Sequence, residues 1–71
     1  MKVFTSVWNY SYGRGLCIIA ANTVEEAKQA LEFYHKGDYY FTWAWTTPVE
    51  SETLQTNVDN PQVLYIEKYQ E

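Results

Sequence analysis

The sequence predicts a two-layer α+β domain of order ββαββ, an antiparallel four-stranded sheet (order 2-1-3-4) with one helix on one face. Three observations predict it. Residues 2–21 hold two strand-like runs around a glycine-bearing turn, residues 24–36 form a capped amphipathic helix, and 39–47 and 63–69 are further apolar and aromatic runs.

The first strand is expected at about 2–10, KVFTSVWNY. Side chains alternate between the two faces of a strand. Val3, Thr5 and Val7 therefore share one face, and Phe4, Ser6, Trp8 and Tyr10 the other. SYGRG, residues 11–15, carries two glycines that permit positive φ at a hairpin tip, with Arg14 placed to touch a partner. The second strand, 16–21, is apolar on both faces, with Leu16, Ile18 and Ala20 opposing Cys17, Ile19 and Ala21. An antiparallel strand with one wet face alternates with polar residues, and this one does not.

The helix signal is the clearest in the chain. Thr23-Val-Glu-Glu26 reads as a capping box. Val24, Ala27, Leu31 and Tyr34 make an apolar stripe, and Lys28, Gln29 and Glu32 a wet side. Gly37 supplies a stop, and His35 reads as a surface histidine favoured by the negative end of the helix dipole. The third strand is expected at 39–47, YYFTWAWTT, ending before Pro48. Residues 49–62 are polar, carry the turn signal Asp59-Asn60-Pro61, and read as a long loop. The last strand is expected at 63–69. A right-handed crossover through the helix sets strand three beside strand one.

A chain of 71 residues is expected to be one small domain (1–71), burying only about 60% of its unfolded surface. Chains this small rely on disulfides, a metal or a partner subunit. One cysteine excludes an internal disulfide, and one cysteine with one histidine is too few for a zinc site. Assembly is the device left. Three Trp, seven Tyr and three Phe point the same way, because one helix has limited room to cover so many rings. No segment is long and apolar enough to span a bilayer, and MKVFTSVW lacks the apolar core of a secretory signal. The expected setting is cytoplasmic, with a reduced thiol, and the chain reads as a complete small open reading frame.

No constellation of residues advertises catalysis. Cys17 reads as a buried structural thiol, His35 has no second histidine or spaced nucleophile, and the glutamates serve capping or a loop. We expect no enzyme, no cofactor and no metal. The expected function is a protein-interaction module that self-associates through an aromatic-rich sheet face, or meets a foreign protein; a small inhibitor or adaptor from a phage or mobile element suits this size. Phe4, Trp8, Tyr10, Phe41, Trp43, Trp45, Tyr65 and Tyr69 are the interface candidates. The alternative is a single-stranded nucleic-acid or glycan binder stacking on the same rings. A net charge of −4 argues against nucleic acid, which rewards basic surfaces.

Overall fold

The structure, a computed structural model, describes residues 1–10, 13–36 and 45–70, without the side chains of residues 9, 10 and 68–70. Four strands and one helix follow in the order β1 (Lys2–Tyr10), β2 (Gly13–Ala21), α1 (Val24–Tyr34), β3 (Val49–Gln55) and β4 (Gln62–Gln70). The class is α+β, with an antiparallel four-stranded sheet and one helix, as the sequence predicts.

β1 and β2 pair without a break from Lys2 opposite Ala21 to Tyr10 opposite Gly13, so only residues 11 and 12 lie between the strands. Gly13, Arg14 and Gly15 belong to β2 and not to a turn. Gly15 is a glycine for space. A Cβ there would stand 2.7 Å from the Glu67 carbonyl oxygen and 3.3 Å from both the Trp45 ring and the Trp8 Cβ.

The helix begins as its capping residues dictate. Thr23 is the N-cap, and its hydroxyl accepts from the Glu26 N–H at 3.2 Å. Glu26 reaches back to the Asn22 N–H at 2.8 Å, so two donors with no partner inside the helix are met. Glu25 and Glu26 also lie at the positive end of the helix dipole. The helix stops two residues earlier than predicted. Its buried stripe is Ala27, Leu31 and His35, with Val24 partly buried at its start, because His35 follows Leu31 by four residues and stays on the same side. Tyr34, assigned to the stripe by the sequence, is exposed. The predicted stop at Gly37 lies outside the described residues.

The sheet order is β3-β1-β2-β4, which corrects the predicted 2-1-3-4. A third strand does lie beside β1, but it is Val49–Gln55, a stretch the sequence reads as loop. Most of its side chains are exposed, which suits an edge strand and hides it from a search for apolar alternation. Between the Phe4–Glu50 and Lys2–Gln55 pairs it bulges outward. There the Ser51 hydroxyl accepts from the Thr53 and Leu54 N–H groups at 3.4 and 3.2 Å, a turn folded into the strand. Of the predicted strand 39–47, residues 39–44 lie outside the described residues, while Trp45 makes a single bridge to Trp8.

β4 pairs with β2, at the opposite edge from β3. Pairing there lets Val63 and Ile66 reach the core that α1 covers, since the helix packs over β2 and β4. Edge-to-edge pairing with the polar β3 would leave both uncovered. That is why β4 takes the β2 edge and not the predicted place beside strand three.

The core gathers Phe4, Trp8, Cys17, Ile19, Ala21, Ala27, Leu31 and Trp45. Register explains the set. Phe4 opposes Ile19, Ser6 opposes Cys17, and Trp8 opposes Gly15, so one face of the β1–β2 pair is continuous beneath the helix. Fully covering a Phe, Ile or Leu side chain stabilises by about 1.5–3 kcal/mol each. Ala21 and Ala27, both fully buried, keep helix and sheet close.

Candidate functional site

The face opposite the helix is built by the same register. Val49 opposes Thr5, Thr5 opposes Ile18, and Ile18 opposes Tyr65, so one transverse row crosses all four strands. The next row runs Val7, Leu16, Glu67, and the next Asn9, Arg14, Tyr69. We refer to this as the second face.

Its outer surface is apolar. Val7 is 40% exposed, Leu16 37%, Tyr65 49% and Val49 65%, while Thr5 and Ile18 are half-buried. α1 is on the other side of the sheet. The apolar character of β2 on both sides is thereby accounted for: Cys17 and Ile19 serve the helix, Leu16 and Ile18 the second face. The polar groups on this face are few. The Tyr65 hydroxyl donates to a Glu67 carboxylate oxygen at 2.6 Å, and Arg14 is exposed. Val3 and Ala20 also belong to this side by register yet are buried. They lie at the end of the sheet that residues 56–61 must cross to join its two outer strands.

The predicted interface residues divide. Phe4, Trp8 and Trp45 are in the core, on the side covered by the helix, and none of them faces outward. Trp8 and Trp45 stack with centroids 6.4 Å apart and planes 23° from parallel. Tyr65 is on the second face and half-exposed. Tyr10 and Tyr69 have described backbones only, and Phe41 and Trp43 lie outside the described residues. Arg14, expected at a hairpin tip, is the second residue of β2 and opposes Asn9 and Tyr69. Val7, Leu16, Ile18 and Val49 are absent from the sequence-based candidates, although alternation in 3–7 and 16–20 holds the signal. Rings dominate a reading by size, and these aliphatic residues have the stronger claim to the surface.

Groups that could carry chemistry are sheltered. Cys17 is fully buried, and burial pushes its thiol up to about 11. That keeps it protonated and inert at neutral pH. His35 is buried, contrary to the surface position expected for it. Its Nδ1 donates to the Leu31 carbonyl at 3.0 Å, and its ring lies 5.0 Å from those of Trp45 and Tyr34. Among the described residues, no three His, Cys, Asp or Glu side chains are grouped to hold a metal ion. No helix among them is long and apolar enough to cross a membrane.

A separate apolar groove of about 490 Å³ lies between the outer side of α1 and the start of β4, lined by Ala30, Phe33, Tyr34, Pro61, Gln62 and Val63. It holds no charged or nucleophilic group.

Comparison with protein-family models, curated proteins and solved structures gives no match.

Proposed function

We propose that this chain is a non-enzymatic protein-interaction module that docks through the second face of its sheet. The observation behind the reading is the contiguous apolar surface of Val7, Leu16, Ile18, Tyr65 and Val49, drawn from all four strands. Contiguous apolar patches of a few hundred Å² on small proteins usually mark interaction sites. The helix and sheet make two layers, and a third layer supplied by a partner would complete the second face as α1 completes the first.

The partner is a protein, either a second copy or a foreign chain, and an inhibitor or adaptor role suits a small module of this kind. A cytoplasmic setting goes with the reading, since the buried free thiol of Cys17 keeps its form in a reducing compartment. The stacking alternative, in which bases or sugars lie on exposed rings, has less support. Phe4, Trp8 and Trp45 are packed inside, and Tyr65 is the half-exposed ring described on the second face.

The test is capture by crosslinking with the wild-type chain and with Leu16→Lys as bait. Adducts, with itself or with another protein, that vanish with Leu16→Lys support the reading. Adducts indifferent to Leu16→Lys and Val7→Lys would sink it.

A further inference from the structure

We draw no further inference here: the strongest candidate, the apolar groove between the outer side of α1 at Phe33 and Tyr34 and the start of β4 at Val63, is a surface for which nothing in the structure shows what covers it.

Discussion

Trp45 stacks on Trp8 across a lone β-bridge, with centroids 6.4 Å apart, and the edge of its ring rests against Gly15 on the far side of β1. The pair closes the end of the core beside the C-terminus of α1, where the His35 ring lies 5.0 Å from that of Trp45. Thr46 anchors it, with its N–H donating to the Val7 carbonyl at 2.9 Å and its carbonyl accepting from the buried Ser6 hydroxyl at 2.6 Å. Trp45→Ala should therefore destabilise by about 3–5 kcal/mol, the range for deleting a buried large aromatic. A chain of this length has a total stability of only about 4–10 kcal/mol. Urea unfolding followed by dichroism would check it, and a loss below 1 kcal/mol would show that the ring is dispensable.

Gly15 predicts the opposite kind of defect. Gly15→Ala pushes a methyl group against the Glu67 carbonyl oxygen, which is backbone and cannot swing aside. We expect a loss of about 1–3 kcal/mol from overpacking. If the reason for glycine were a turn conformation and not space, the β2–β4 register seen by amide exchange would be undisturbed in the folded variant.

Cys17 ties stability to alkaline pH. Its thiol is raised from 9.0 to about 11 by burial, so between those values the unfolded chain loses its proton while the folded chain keeps it. The contribution is complete below pH 9 and is lost as pH rises through 11, with a total on the order of 2–3 kcal/mol. Unfolding free energies at pH 8 and 11 would show the loss, and Cys17→Ala should flatten that part of the profile. The same shift leaves about a hundredfold less thiolate at pH 8 than an exposed cysteine would have. Thiol-reactive dyes should accordingly label native protein at least that much more slowly than protein in urea.

The capping residues give a smaller and cleaner effect. Thr23→Ala removes the acceptor for the Glu26 N–H and should cost about 1 kcal/mol. Thr23→Ser should retain most of it. Equal melting temperatures for all three proteins would mean that α1 is held by packing alone.

The local elements are legible in the sequence where their determinants are local. The capping box names the first turn of α1 outright, and alternation in 2–10 is enough to place Phe4 and Trp8 on one side and Val7 on the other. What the alternation cannot say is which side the helix will take. Gly15 helps set that choice, since it leaves room for two indole rings on one face only, yet in sequence it looks like a turn residue. β3 is hidden for a related reason. An edge strand held by backbone hydrogen bonds and a serine-capped bulge has no need of apolar side chains, so VESETLQ carries no strand pattern. His35 is a third case. A residue type normally placed at the surface sits at the four-residue spacing that continues Ala27 and Leu31, and spacing outweighs polarity.

The order of the strands has a bearing on how the protein is made. β1, β2 and α1 leave the ribosome first, and both outer edges of that hairpin are completed only by residues 49–70. From the end of α1 at Tyr34 to the end of β4 at Gln70, at about 5–20 residues per second, this interval lasts roughly two to seven seconds. Throughout it the most apolar strand in the chain, β2, has one hydrogen-bonding edge open on a nascent polypeptide still tethered to its neighbours on the same messenger. The C-terminal third thus acts as a pair of late-arriving guards, and the hazard it meets is one of synthesis and not of the finished fold.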